Sequence, residues 1–160
     1  MSETTLPPVR CMYLPLSAGG LLVPSSVVAE VIAPLAPSTP ENMPDWNMPD
    51  WLNGFVQWRA VKLPVLNAER VLGLAAAVAG VRNRVAVLHS VNADCAMAYY
   101  AVLIQRLPTV VLAGERTAKA MERTVSAPWV HGQLDLEVGA GYVPNLDSLE
   151  SLIESAITVH

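Results

Sequence analysis

A run of alternating side chains at residues 55–66 constrains the fold more than any other part of the sequence. Along FVQWRAVKLPVL, Val56 and Trp58 face one side while Gln57 and Arg59 face the other. An alternation with a period of two is typical of a β-strand with one buried face. The apolar residues change parity near the middle of the run, so we expect the strand to bend there.

Shorter runs of the same character recur along the chain, and glycine or proline separates many of them. Short strands bounded by such turn residues favour small barrels or a sandwich. Near the C-terminus, apolar residues recur at helical spacing and predict an amphipathic helix over 147–156, and one-turn or short helices are predicted over 50–54 and 68–72. Residues 27–32 are ambiguous, although their β-branched side chains favour a strand. The other predicted strands are 9–16, 21–24, 84–90, 97–104, 109–112, 130–138 and 142–144.

The composition indicates a folded protein without a role in binding nucleic acid or inserting into a membrane. Of the 160 residues, 52% are hydrophobic, which favours a globular core over disorder. The net charge is −4 and no run of Lys or Arg occurs, whereas nucleic acids and anionic lipids need clustered cations. The N-terminus lacks the features of a signal peptide, and charges or prolines interrupt each apolar stretch before the ~20 residues of a membrane span. We therefore expect a cytoplasmic protein, with a flexible segment at 1–8 and one domain over 9–157.

The residue types that would carry catalysis are scattered along the sequence. His89, His131 and His160 have no helper residues at matching spacing, and no glycine-rich phosphate loop precedes a helix. Cys11 and Cys95 lie in apolar contexts without a partner at metal-ligand spacing, so we expect reduced, buried thiols. We predict no catalytic residue, no metal site and no cofactor, and a binding module is favoured over an enzyme.

Residues 28–66 carry a pattern that resembles the signature of the CheW family. They read VAEVI at 28–32, then a proline-rich gap, then PDWLNGFVQWRAVKLPVL at 49–66. The signature runs roughly V-x-E-I, a gap, and P-x-[FW]-h-x-G-h-x-N-h-R-G-x-h-h-P-h-h-D-L, in which h is apolar. The closing segment 130–152 also resembles the last strand and helix of that family. Among the departures from the signature, Gln57 replaces Asn, Ala60 replaces Gly and Asn67 replaces Asp.

The resemblance implies a fold, a role and two partners. The implied fold is mainly β, with two packed and intertwined SH3-like barrels of five strands each, short helices and a C-terminal helix. The implied role is a non-catalytic coupling scaffold that links the cytoplasmic tip of methyl-accepting chemoreceptors to the regulatory domain of a CheA-type histidine kinase. The departures from the signature are similar to those of adaptors in the chemosensory systems that control type IV pili.

By family position, Arg59 and Glu30 are the leading candidates for protein binding. Arg59 matches the signature arginine, whose fork of donors suits a receptor-facing groove, and the alternative is an internal ion pair between the barrels. Glu30 is a lone charge among apolar residues, and the resemblance implies that it lies at the kinase-facing edge. The alternative for Glu30 is a solvated edge charge that blocks aggregation.

Four apolar residues and one tryptophan complete the predicted protein-binding set. The apolar residues, which belong either to an interface or to the core, are Val28, Val31, Pro64 and Val65. Trp46 lies in the first copy of a duplicated Asn-Met-Pro-Asp-Trp run, which occurs at 42–46 and again at 47–51. An exposed Trp in a proline-rich loop can anchor a partner, because aromatic anchors dominate interface energies. The alternative is that Trp46 folds back onto its own domain.

Two other classes of function stay open on the residues alone. A stand-alone SH3-like module that binds peptides would be favoured by an aromatic groove, although the chain has a single Phe and no recurring aromatic cluster. An enzyme whose site is assembled only in three dimensions would need a deep polar pocket.

Overall fold

The computed structural model describes residues 9–33, 49–73, 84–113, 118–120 and 129–158. The predicted flexible start at 1–8 and Trp46 lie outside these residues. The described part forms eleven strands, two α-helices and a 3-10 turn at Ser25–Val27. In chain order the strands and helices are β1 (Val9–Pro15), β2 (Gly20–Pro24), β3 (Val28–Ile32), β4 (Leu52–Trp58), β5 (Val61–Leu66), α1 (Ala68–Leu72), β6 (Arg84–His89), β7 (Tyr99–Ile104), β8 (Thr109–Ala113), β9 (Ala118–Ala120), β10 (Val130–Leu136), β11 (Gly139–Pro144) and α2 (Leu146–Thr158).

The strands form two sheets, and the chain leaves the first sheet and later returns to it. The six-stranded sheet has the order β8-β1-β2-β11-β10-β9, and the five-stranded sheet has the order β3-β6-β7-β5-β4. This arrangement confirms the mainly β class with two sheets and a C-terminal helix. The first sheet has six strands rather than the predicted five, because the three-residue β9 pairs with the outer edge of β10.

The five-stranded sheet curls until its two edge strands meet. Neighbouring strands lie about 4.8 Å apart, so β3 and β4 would be roughly 19 Å apart in a flat sheet of this order. Instead the indole N–H of Trp58 on β4 donates a hydrogen bond to the carboxylate of Glu30 on β3. Among the described residues, side chains rather than a backbone ladder join these two edges, so the sheet is open in its hydrogen bonding but strongly curled.

Apolar side chains fill the space inside each sheet and the space between the sheets. The enclosed core lies inside the five-stranded sheet and consists of Val56, Trp58, Leu63, Val65, Val85, Val87, Ala101 and Leu103. A central core joins residues of both sheets with α1 and α2. A smaller cluster around Cys11, Tyr13, Leu22 and Leu136 lies within the six-stranded sheet. Burial raises the pKa of the Cys11 thiol, as expected for an apolar setting.

Strand β6 shows why several strands read as continuous apolar runs. Val85 and Val87 belong to the enclosed core, whereas Ala86 and Leu88 belong to the central core. Successive side chains of a strand point to opposite faces, so a strand between two cores needs apolar residues at every position. The sequence therefore places β6 correctly but cannot say which face meets which core.

Local capping explains where the two helices begin and end. Asn67 accepts a hydrogen bond from the backbone N–H of Arg70 at 3.3 Å, and α1 ends at Gly73, whose φ is 74°. Asn145 accepts in the same way from the N–H of Ser148 at 3.2 Å, at the start of α2. Both predicted helices are confirmed. None of the helices in the described residues is long and apolar enough to cross a membrane.

The helical turn predicted over 50–54 is wrong. Strand β4 already begins at Leu52, which pairs with Leu66 and is 4% exposed. The turn residues before it are tied to α1 instead, since the carbonyl of Trp51 accepts from the N–H of Asn67 at 2.7 Å. The long-range pairing of Leu52 thus overrides the local helical signal.

Candidate protein-binding site

A β-bulge in β3 decides which way Glu30 points. The pairing with β6 matches Val28 with Leu88 and Glu30 with Val87, so Ala29 is an extra residue in β3. In an unbroken strand Val28 and Glu30 would share a face, because side chains alternate. The extra residue reverses that parity, so Val28 packs on the central core while Glu30 reaches Trp58 of the enclosed core.

The contact between Glu30 and Trp58 connects the enclosed core of the five-stranded sheet to its surface. Trp58 is 6% exposed and belongs to the enclosed core, whereas Glu30 is exposed. A buried indole N–H needs an acceptor, and here it donates to Oε2 of Glu30. Because the acceptor is a carboxylate, this is a charge-assisted hydrogen bond, which is stronger than one between neutral groups. The contact therefore fixes one carboxylate oxygen at the surface.

Arg59 lies beside the same indole because of the turn that joins β4 and β5. Arg59 and Ala60 form this two-residue turn and both have positive φ, 46° and 63°, as in a type I′ hairpin turn. The guanidinium carbon of Arg59 lies 4.6 Å from the ring centroid of Trp58, a cation–π contact. Arg59 is exposed and forms no ion pair with a described residue. The alternative role of Arg59 was an internal ion pair, and the described part of the chain supplies no partner for it.

Two further aromatic rings extend this surface along the sheet. The ring centroids of Trp58 and Tyr99 are 4.9 Å apart, and those of Tyr99 and His89 are 5.0 Å apart. These tilted pairs lie within the usual range for favourable aromatic contacts. We call Glu30, Trp58, Arg59 and Tyr99 the seam surface. It presents one carboxylate, which accepts from the indole N–H, and one guanidinium, which lies over the indole ring. It can therefore pair with charges of either sign on a partner.

The hairpin tip next to the seam surface is exposed and cationic. Val61, which pairs with Trp58, is 48% exposed, and Lys62 beside it is also exposed. A large apolar side chain next to Lys62 and Arg59 offers a partner both apolar area and positive charge.

The other predicted residues lie at different depths in the same sheet. Val28 and Val31 on β3 are half-buried and pack on the central core. Pro64 is buried, and Val65 is 0% exposed inside the enclosed core. The sequence left two roles open for Val65, an interface or the core, and the structure places it in the core. Trp46 lies outside the described residues.

Sequence reasoning missed Tyr99 and the shared contact of Glu30 and Arg59 with Trp58. The two charges are 29 positions apart in the sequence and were assigned to different partners, yet both contact Trp58. The alternation over 97–104 does place Tyr99 on one face with Ala101 and Leu103, which could have indicated that it faces Trp58. No local pattern could have shown that β3 and β4 close on each other.

A second carboxylate, Glu150 of α2, is fully buried and is not part of the seam surface. It accepts from the N–H of Val91 at 2.9 Å, from the N–H of Asn92 at 2.9 Å and from the hydroxyl of Tyr100 at 3.0 Å. Burial, together with the neighbouring carboxylate, raises the pKa of Tyr100 above its ordinary value. Glu150 therefore ties α2 to the loop before β7.

An apolar groove of about 350 Å³ lies on the six-stranded sheet. Its lining residues are Val110, Val111, Leu112, Leu136, Glu137 and Val138. Val110, Leu112 and Val138 are about half exposed, at 49%, 53% and 47%. Apart from Glu137, the side chains that line this groove are aliphatic. A stand-alone peptide-binding module would be favoured by a groove lined with aromatic side chains. Within the same residues, no group of three or more His, Cys, Asp or Glu side chains could hold a metal ion.

A fold of two β-sheets with a charged aromatic surface suits a protein-interaction module. Residues 11–139 match the model of the CheW-like domain, so the match spans most of the chain. The chain belongs to the CheW-like family. This confirms the resemblance seen in the sequence and, with it, the assignment to coupling scaffolds.

Solved structures share this fold, and one of them is a bacterial scaffolding protein. The crystal structure of the scaffolding protein TtCheW from Thermoanaerobacter tengcongensis superposes with a TM-score of 0.69 at 12% identity. The similarity covers 91% of this chain and 90% of that chain. No curated protein matches the sequence.

Proposed function

We propose that the protein is a non-catalytic cytoplasmic scaffold that couples methyl-accepting chemoreceptors to the regulatory domain of a CheA-type histidine kinase. Its output is chemotaxis or pilus motility. The observation that carries the proposal is the seam surface in a CheW-like fold. Two signature charges, Glu30 and Arg59, stay exposed there while their neighbour Trp58 is buried.

The chemistry of the seam surface favours binding over catalysis. The carboxylate of Glu30 is occupied by the indole N–H, and the guanidinium of Arg59 rests on the ring. Both groups can form ion pairs with another protein, and such charges mainly determine specificity and the rate of association. Val61 and the aromatic rings nearby supply the apolar area that a stable contact also needs.

Calorimetric titration with the two partners tests this function. The titrants are the regulatory domain of a CheA-type kinase and a cytoplasmic receptor fragment, each added to the full chain. We expect Glu30→Ala to weaken binding of the kinase domain about ten-fold or more, and Arg59→Ala to abolish binding of the receptor fragment. Circular dichroism should show that both variants stay folded, since both side chains are exposed.

Matched controls lie on the other sheet. Arg10 and Glu137 are exposed residues of the six-stranded sheet region, so Arg10→Ala and Glu137→Ala remove the same charges away from the seam surface. Both should bind the two partners as the wild type does. Lack of binding of either partner by the wild-type chain would reject the scaffold function, and equal losses in the controls would reject the seam surface as its site.

Trp46 is proposed as an additional anchor on the basis of sequence alone. The second copy of the duplicated run ends at Trp51, which is half-buried and packs on the central core. A variant that retains only Trp46 among its tryptophans reports on this proposal by fluorescence. An anchor should be exposed and quenchable in the free chain and shielded once the partner binds. A blue-shifted, quencher-resistant signal in the free chain would contradict it.

A further inference from the structure

Trp58 contacts both signature charges, and no contact joins those charges to each other within the described residues. The indole donates its hydrogen bond to Glu30 and carries the guanidinium of Arg59 on its ring. Tyr99 packs against the same ring at 4.9 Å and limits its rotation. One buried aromatic side chain is therefore the common contact of two exposed charges.

The family signature does not require a tryptophan at this position. Its pattern N-h-R-G asks only for an apolar residue before the arginine, and this chain has Trp58 there. An aliphatic residue would also be compatible with an apolar core, but it would offer neither a donor for Glu30 nor a ring for Arg59. The tryptophan therefore adds two contacts that packing alone does not explain.

We infer that Trp58 is a positioning residue that holds Glu30 and Arg59 as one preformed charged pair across the seam between β3 and β4. This inference rests on the proposed function, because the pair acts by binding a partner. Glu and Arg side chains have many rotamers, and ordering them on binding weakens affinity. Trp58 orders both of them in the free protein, so the partner meets a rigid pair instead of two mobile chains.

The first test concerns the free protein and uses the indole ¹H–¹⁵N resonance of Trp58. Trp58→Phe identifies that resonance by its disappearance. In the wild type, we expect a downfield shift and slow exchange with solvent, because the N–H is buried and bound to a carboxylate. Glu30→Ala should move the resonance upfield and speed its exchange at least ten-fold. An unchanged resonance in Glu30→Ala would overturn the inference.

The second test is a double-mutant cycle on binding of the kinase regulatory domain. Trp58→Phe keeps an aromatic ring and most of the volume but removes the N–H donor. We expect it to weaken binding about ten-fold, equivalent to about 1.4 kcal/mol. If Trp58 acts through Glu30, then Glu30→Ala together with Trp58→Phe should weaken binding no more than Glu30→Ala alone. Fully additive losses would show that the two residues act independently and would overturn the inference.

A matched substitution distinguishes positioning from general stability. Trp51→Phe makes the same chemical change in a half-buried tryptophan that packs on the central core. It should leave the affinity within two-fold of the wild type, whatever its effect on unfolding by urea. An equal loss of affinity in Trp51→Phe would assign the effect of Trp58→Phe to stability and overturn the inference.

Failure of the inference and failure of the proposed function give different results. If the wild-type chain does not bind the kinase domain, the function is rejected, and the resonance of Trp58 still decides whether Glu30 is held in place. If the wild type binds but Glu30→Ala leaves the indole unaffected, the function stands and the positioning role is rejected.

Discussion

Glu30 and Glu150 each accept a hydrogen bond from the polar hydrogen of an aromatic side chain, but they lie in very different surroundings. Glu30 accepts from the indole of Trp58 and is exposed on β3. Glu150 accepts from the hydroxyl of Tyr100 and is 0% exposed on α2. In the first pair the aromatic ring is the buried member, and in the second pair both members are buried.

The same kind of hydrogen bond can therefore stabilise the fold at one site and prepare a binding surface at another. Glu150 accepts hydrogen bonds from two part-buried backbone N–H groups as well as from the buried hydroxyl of Tyr100, which would lack an acceptor without it. Glu30 accepts a hydrogen bond from a single donor near the surface, where water can replace the carboxylate as the acceptor. We therefore expect Glu150 to matter for stability and Glu30 to matter for binding.

Glu150→Ala and Glu30→Ala should differ strongly in their free energies of unfolding. Glu150→Ala leaves the buried hydroxyl of Tyr100 and two part-buried backbone N–H groups without their acceptor, so we expect it to lower the free energy of unfolding by about 3 kcal/mol. Domains of this kind are stable by only about 5–15 kcal/mol in total. Glu30→Ala should cost about 1 kcal/mol or less. Urea unfolding followed by circular dichroism measures both, and similar losses would remove the contrast.

A control on the same helix separates lost hydrogen bonds from changed helix propensity. Glu154 lies one turn after Glu150, is half-buried, and accepts from the N–H of Ala96 at 3.2 Å. Glu154→Ala makes the same substitution in α2, and we expect a loss of about 1 kcal/mol or less. A loss as large as that of Glu150→Ala would mean that the helix itself, and not the buried carboxylate, limits stability.

The two carboxylates should also differ in how their contacts respond to pH, because the hydroxyl of Tyr100 titrates and the indole N–H of Trp58 does not. Burial and the carboxylate of Glu150 raise the pKa of Tyr100 above its value in the unfolded chain, which is about 10. Above that pH the unfolded state binds fewer protons than the folded state, so the free energy of unfolding falls as pH rises. Below it the contribution of Tyr100 is fully present.

Tyr100→Phe removes this titration. We expect the stability difference between the wild type and Tyr100→Phe to shrink by roughly 1 kcal/mol between pH 10 and pH 11. The indole of Trp58 does not titrate, so the difference between the wild type and Trp58→Phe should stay constant over the same range. Urea unfolding at each pH gives both differences, and a constant difference for Tyr100→Phe would show that the hydroxyl ionises as freely in the folded chain as in the unfolded one.

Local patterns predicted most of the elements that surround these carboxylates. Helix α1 follows from Asn67 and Gly73 at its ends, and β6 was predicted over 84–90 from an alternating pattern, although its buried residues are continuous. The sequence also placed Trp58 correctly in the core through its alternation with Val56. These features depend on neighbours within a few residues, which is the range that propensity and period describe.

What the sequence did not show depends on contacts between distant segments. The bulge at Ala29 is a property of the pairing between β3 and β6, and the meeting of Glu30 with Trp58 requires the whole sheet to curl. Glu150 follows Leu149 in the helix, and its backbone donors at Val91 and Asn92 are almost 60 residues away. Whether such a carboxylate is buried is decided by those donors and not by the pattern of the helix.

The smallest predicted effect concerns the turn that places Arg59 on Trp58. Ala60 has a φ of 63°, in the left-handed region that costs a residue with a Cβ atom about 1–2 kcal/mol. The family signature has glycine here, and glycine adopts this φ without strain. Ala60→Gly also gives the unfolded chain about 0.4–1 kcal/mol of extra conformational freedom. The two effects oppose each other, and we expect a net stabilisation of about 0.5–1 kcal/mol.

Ala18 supplies a control with the opposite expected sign. It is an exposed alanine in the turn between β1 and β2, and its φ is not positive. Ala18→Gly therefore adds freedom to the unfolded chain without relieving strain, and should lower the free energy of unfolding by a few tenths of a kcal/mol up to about 1 kcal/mol. If both glycine variants lose stability, the Arg59–Ala60 turn is not strained, and the position of Arg59 depends on its contact with the indole alone.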